Sequence, residues 1–229
     1  PEKAGLKIPV YTQFSQSIST PQYDPYELDV KLKDKFEVIN TDDALSKSRK
    51  KELIDSTKRV AQDITTIKSI NVTNLQKVRT NPDKQPRVYD VENFNFTYAF
   101  TQTDRRNPVI EKEVISKHRG SIGWNFSPKP LIWQPFKKVK NNSIHLKPIK
   151  EFNINLKPNS VAFRTDINRQ YGFQKIRNIS GDDLEIKPTF DKYFTWDRFW
   201  SVKYSLTKSI NIDFTANNKA RIDEPVGAL

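Results

Sequence analysis

The chain has no cysteine, no methionine and only two histidines, His118 and His145, in 229 residues. Disulfides and thiolate metal centres are therefore excluded, and a histidine-rich metal site has too few ligands to form. Glycine is scarce, at six residues, and no phosphate-cradling glycine loop occurs. No stretch approaches the roughly 18 apolar residues that a membrane-crossing helix needs. That excludes helical spans only, because a barrel crosses with strands. The chain opens Pro1-Glu2-Lys3, with no basic segment followed by an apolar one, so no signal peptide is read. Lacking an initiator methionine and ending Pro225-Val226-Gly227-Ala228-Leu229, it reads as a piece cut from a longer polypeptide.

What is present is alternation. In 193–216, Phe194, Trp196, Arg198, Trp200, Val202, Tyr204 and Leu206 fall on one parity. Thr195, Asp197, Phe199, Ser201, Lys203 and Ser205 fall on the other. After Thr207-Lys208 the pattern resumes, with Ile210, Ile212 and Phe214 against Asn211, Asp213 and Thr215. Period two over about ten residues is a strand signal, and two such runs across a short break predict an antiparallel hairpin. One face is aromatic and aliphatic; the other carries hydroxyls, amides and charge. An outer-membrane barrel needs that division over strands of about 9–11 residues. A soluble sandwich, the commoner use of the pattern, needs it too, with a second sheet over the apolar face.

The same alternation recurs. Leu6, Ile8, Val10, Thr12 and Phe14 predict a first strand ending near Ser19, with Pro9 marking an edge or bend. A short strand is expected at 68–74. The clearest alternation runs through 91–103, with Phe94, Phe96, Tyr98 and Phe100 against Asn95, Thr97, Ala99 and Thr101. A turn at 104–108 leads to a return strand over 110–126, where Gly120 and Gly123 allow a bend or bulge. Short strands follow at 152–156 and, after a turn at 157–160, over 161–173. The stretches 127–150 and 174–192 read as long loops, the first holding four prolines and a basic run at 137–140. Between 41 and 64 the period changes to 3.6, predicting one helical insertion with Thr41 as N-cap and a basic outer face at 47–51. The expected fold is all-β and mostly antiparallel, with about eight strands and that one insertion, as a single unit over 1–229.

No spacing specifies a nucleophile with its base, so no catalytic residue, metal site or cofactor is expected and the chain does not read as an enzyme. Asp182-Asp183 beside Gly181 lacks the alternating ligands of a calcium loop and reads as a turn. The net charge of +12 could serve nucleic-acid binding, but the cations are spread from Lys3 to Arg221. A solvated surface or lumen accounts for them, and an anionic lipid surface would suit them as well. No nucleic-acid partner is expected. Trp124, Trp133, Trp196 and Trp200 lie near strand ends, which fits an interfacial girdle, ligand stacking or a soluble core alike. Asn95, Thr97, Asn211, Asp213 and Thr215 are the candidate wet-face residues.

Four segments in order carry a resemblance: IPVYTQFSQSISTPQYDPYELDVKLKD (8–34), VYDVENFNFTYAFTQTDRRN (88–107), IKEFNINLKPNSVAFRTDINRQY (149–171) and FDKYFTWDRFWSVKYSLTKSINIDFTANNKARIDEP (190–225). Together they resemble the SprA (Sov) family, the giant outer-membrane translocon of the type IX secretion system in gliding and related bacteria. The segments 41–64, 127–148 and 174–189 match it least. The resemblance implies a segment of a large transmembrane β-barrel at the outer membrane and cell surface. It implies export of folded proteins, support of gliding motility and no catalysis. The implied partners are a PorV-like small barrel protein, a plug protein, secreted cargo proteins and the lipid bilayer. The candidate wet-face residues would then face a lumen, and Arg198 would sit near the membrane interface beside Trp196 and Trp200. Counting turns by strand parity puts the 104–108, 157–160 and 207–208 turns and the helix at one end of the sheet, expected to be periplasmic. It puts loops 127–148 and 174–192 at the other, extracellular end. Two other readings remain open from the residues: a soluble β-sandwich surface module binding sugar or protein, and a basic nucleic-acid binder.

Overall fold

The computed structural model describes residues 5–81, 85–136, 152–179, 185–225 and 227. The alternating stretches form an antiparallel sheet. Its edge begins with β1 (Leu6–Lys7) and β2 (Val10–Ser19), both paired with β3 (Asp63–Lys77). They are one edge strand broken at Pro9, which has no N–H to donate to a ladder. Opposite the break, β3 bulges between Val72 and Leu75. Asn74 there takes φ of 54°, and Thr73 donates its N–H to the Pro9 carbonyl at 3.2 Å. The order continues through β4 (Phe94–Arg106) and β5 (Ile110–Phe126). A separate ribbon, β6 (Ile132–Trp133) with β7 (Ile154–Asn155), follows in the chain. The sheet resumes with β8 (Ser160–Ile176), β9 (Thr189–Ser205) and β10 (Asn211–Ile222).

The result is an eight-stranded, open, all-antiparallel sheet. The outer sides of β2 and β10 have no strand partner among the described residues. Among the described residues no second large sheet covers either face, and no side chain is less than 2 % exposed. The buried apolar residues among them are Leu32 at the start of α1, Ala61 at the end of α2 and Ile64 at the start of β3. A sandwich would bury the sheet's apolar face; this one stands as a single layer.

The helical insertion differs from the sequence reading. Two helices form, α1 (Leu32–Thr41) and α2 (Lys47–Ala61), rather than one over 41–64. Thr41 ends α1, its hydroxyl donating back to the Glu37 carbonyl at 3.0 Å, and does not cap a following helix. Asp42 then accepts from the Ala44 amide at 2.9 Å, a local turn that competes with helix continuation. Ser46 is the true N-cap, accepting from the Arg49 amide at 3.3 Å. Lys58 and Arg59 in the last turn complement the dipole, and by Asp63 the chain is already in β3.

The predicted end-of-sheet assignment also changes. Residues 152–156 do not add a strand to the large sheet; Ile154–Asn155 pairs with Ile132–Trp133 instead. Removing that strand shifts every later parity by one. The helices, the β4–β5 turn and the 177–188 connection share one end. The 78–93 connection, the 127–159 connection and the β9–β10 turn share the other. Contacts agree: the Tyr26 hydroxyl donates to the Pro108 carbonyl at 2.6 Å, and Asn155 N–H donates to the Leu206 carbonyl at 2.8 Å. The described flanks of the 127–148 and 174–192 loops thus leave the sheet at opposite ends, and of the three short turns the 104–108 turn alone stays with the helices. The Lys137–Lys140 run and Asp182-Asp183 lie outside the described residues.

Candidate functional surface

Register fixes which side chains share a face. Phe94 pairs with Trp124, Trp124 with Phe163, Phe163 with Trp200 and Trp200 with Ala216, so these five form one row across five strands. Tyr98, Gly120, Ile167, Trp196 and Ala220 form another row on the same face. Val72 and Val10 extend that row to the β2 edge. Many of these apolar groups are in open contact with solvent: Phe14 is 68 % exposed and Phe214 55 %.

Three of the four candidate tryptophans meet on this face. Trp124 stacks on Phe126 with centroids 6.1 Å apart, and its indole N–H donates to the Val88 carbonyl at 3.0 Å. Trp200 packs on Phe163 at 5.5 Å. Trp196 donates to the Thr165 hydroxyl at 2.6 Å. Trp133 is separate, half-exposed on the β6–β7 ribbon. Arg198, the charge that alternation puts on the apolar face, lies between the two rows. Its guanidinium sits 4.4 Å from the Trp196 ring centroid and 6.0 Å from that of Trp200, and donates to the Asn218 amide oxygen at 3.1 Å. A cation flanked by indoles two residues to either side is placed by the β period itself.

The other face is polar and cross-linked. Arg119 donates to the Asn168 side chain at 2.9 Å, and Asn168 donates to the Thr195 hydroxyl at 3.3 Å, a ladder spanning β5, β8 and β9. Ser121 donates to Asp166, which also pairs with Arg164 at 2.9 Å, and Arg164 lies 4.7 Å from the Phe199 ring centroid. The five candidate wet-face residues all fall here. Asn95 pairs with Gly123 and Thr97 with Ser121. Asn211, Asp213 and Thr215 stand opposite Ser205, Lys203 and Ser201. Gly123 has a steric reason: a Cβ there would collide with the Asn95 carboxamide.

Sequence reading missed several polar groups on the apolar face. The Tyr98 hydroxyl lies 3.0 Å from His118 Nδ1, and His118 packs on Phe100 at 4.8 Å. Arg169, opposite His118 in register, makes a two-pronged pair with Glu224, both bonds at 2.9 Å. The alternation held their parity, but a partner 55 residues away has no local signal.

At the helical end, Asp24 is buried and accepts from the Lys35 ammonium at 2.6 Å and from the Tyr26 amide at 2.8 Å. Burial pushes the Asp24 carboxyl up, but Lys35 and the backbone amides outweigh it and hold the group below the usual carboxylate range. The same bond to Asp24 raises Lys35 against the effect of burial.

Among the described residues no helix is long and apolar enough to cross a membrane, and no three His, Asp or Glu side chains are grouped to hold a metal. A family model described as SprA_N, motility related/secretion protein, matches residues 1–36. That stretch is the broken edge strand, the turn after it and the start of α1. The match supports a SprA-related family with a motility or secretion association. Comparison with curated proteins returns no match.

Proposed function

We propose that this chain is a segment of an outer-membrane, protein-conducting β-barrel of the type IX secretion kind, which exports folded proteins and supports gliding motility. The observation that carries this reading is a single-layer antiparallel sheet with one apolar face, one polar face and two unpaired edges. In water such a sheet exposes a large aromatic surface and two hydrogen-bonding templates. In a bilayer the apolar face meets lipid, the polar face meets a wet lumen, and further strands close the edges so that every backbone group is paired.

On this reading Asn95, Thr97, Asn211, Asp213 and Thr215 face the lumen, while Trp124, Trp196 and Trp200 face the outside, with Trp124 and Trp200 nearest an interface. A charge costs about 2–4 kcal/mol at the midplane and close to nothing near an interface, so Arg198, held between Trp196 and Trp200, reaches toward the rim on the Trp200 side. Secreted proteins are the cargo, and a PorV-like small barrel and a plug protein are the partners that the resemblance implies. The chain supplies no catalysis and no cofactor.

The test is the state of the chain in solution. Sedimentation in plain buffer is expected to show aggregation, with ordered strand structure only in detergent or beside the remaining strands. A cooperative monomer in plain buffer would favour the soluble binding module instead.

A further inference from the structure

The apolar face is not uniform along its strands. Lys68, Arg106, Lys112, Arg169, Lys175 and Lys192 share its parity, and all six lie in the half nearest the helices. The other half of the same face carries Arg198, clamped by its tryptophans, and Lys77, paired with Glu92 at 3.7 Å. Among the described residues three acids pair with three of the six, and the Lys192 ammonium donates to the Pro225 carbonyl at 3.3 Å. Asp104 holds Gln102 and, at 3.8 Å, Lys68; Glu111 holds Lys175 at 3.1 Å; Glu224 holds Arg169. Arg106 and Lys112 have no carboxylate within ion-pair distance among the described residues.

Register makes the excess sharper. Lys112 stands directly opposite Lys175 across the β5–β8 ladder, a like-charge pair in which Glu111 holds Lys175 and Lys112 has no carboxylate of its own among the described residues. Aromatic rings underlie the same charges. The Lys112 ammonium lies 5.9 Å from the Phe173 centroid and that of Lys192 lies 6.0 Å from Tyr171, while Phe190 packs on both rings at 5.6 and 6.4 Å. Beside Arg106 and Lys112 opens a cleft of about 430 Å³, lined also by Gln16, Thr66 and Val114, with Asp104, Glu111 and Glu113. Strands of 17 residues, at about 3.3 Å per residue and tilted by about 40°, overrun an apolar band about 25 Å tall. One end of each must therefore leave the hydrocarbon, and cations over aromatic rings mark where.

We infer that this outward collar of Arg106, Lys112, Lys175 and Lys192 binds the phosphate of anionic lipid headgroups at the helix-bearing end of the sheet. The inference rests on the membrane reading above. Phosphate oxygens would bridge Lys112 and Lys175 and bring Arg106 its missing partner. Tyr171, Phe173 and Phe190 would sit at the depth of the headgroups.

The test uses the protein purified whole from membranes, exchanged into nanodiscs of phosphatidylcholine with a minor fraction of phosphatidylglycerol. Retained lipids are then classed by mass spectrometry. The wild type is expected to retain phosphatidylglycerol about fivefold above its share. A triple variant, Lys112→Gln with Lys175→Gln and Lys192→Gln, is expected to lose that enrichment. A control with equal charge change on the polar face, Lys117→Gln with Arg119→Gln and Lys203→Gln, is expected to keep it. No enrichment, or equal loss in both variants, overturns the collar while leaving the membrane reading standing. Retention of neither lipid class overturns both.

Discussion

The helical connection and the sheet it interrupts treat apolar surface in opposite ways. The connection buries Leu32 and Ala61 and pairs buried Asp24 with Lys35, so it holds a small interior of its own. The sheet aligns far more apolar surface, and among the described residues Ile64, at the start of β3, is its one buried apolar side chain. A short segment in water must find its own cover, whereas a sheet in lipid needs none, since the solvent is apolar already. The contrast teaches that weak burial in this chain is local: it belongs to the sheet and not to the residues at its helical end.

Substitutions can break this contrast, and the largest effect is expected on the apolar face. Ile167→Lys places a charge in the row between Gly120 and Trp196, and is expected to cost about 2–4 kcal/mol of folding into lipid vesicles. Asn168→Lys, one residue on and on the polar face, is expected to cost under about 0.5 kcal/mol in the same denaturant titration. Equal costs would erase the distinction between faces.

Leu32→Ala comes next. It removes the anchor of the small interior and is expected to cost about 2 kcal/mol, confined to the connection. Hydrogen exchange should quicken across α1 and α2 while β4, β5 and β8 keep their protection. Loss of protection throughout would mean that the helices and sheet share one core.

Gly123→Ala is smaller, about 1 kcal/mol, because the new methyl pushes on a side chain that can rotate away. Adding Asn95→Ala should restore most of that loss, a coupling readable in a double-mutant cycle. Additive losses would show that the two do not touch.

The smallest effect concerns pH. Asp24 is held below the ordinary carboxylate value of about 3.9, so its contribution to stability is complete above that value. The contribution fades as pH falls through the lower value of the folded state. Lys35 is held above its ordinary value of about 10.4, so its part is complete below that and fades as pH rises through the higher folded value. Between those limits, exchange protection in α1 should be flat. Below about pH 3.9 it should fall in the wild type, with a smaller fall in Lys35→Met. A fall of the same size in both would separate Asp24 from Lys35.

The sheet was legible in the sequence where alternation ran long. Phe94 to Phe100, Phe163 to Phe173 and Phe194 to Tyr204 show their faces without a structure, and with them came the polar placement of Asn95, Thr97 and Asp213. What failed was short or non-local. Ile154–Asn155 is two residues long, and nothing in its composition says that it pairs with Ile132–Trp133 rather than with the sheet. That one misplacement reversed the ends of the later loops, because parity arguments pass every error onward. The 3.6-residue pattern is legible only from 41 on, so α1 (Leu32–Thr41) escaped the sequence reading, and Ser46 was the capping residue in plain view. The collar of cations was invisible because its members come from four strands and meet only through register.

The central claim is that the two faces of this sheet meet different solvents, and this chain contributes no cysteine that would compete with a probe. Single cysteines at each position from 161 to 170, carried in the whole protein cleared of any cysteine outside this chain and placed in lipid vesicles, can be labelled with a fluorophore and quenched by nitroxide lipids. The account predicts strong quenching at 161, 163, 165 and 167 and little at 162, 164, 166 and 168. Quenching that is absent at every position, or that does not alternate, would contradict it.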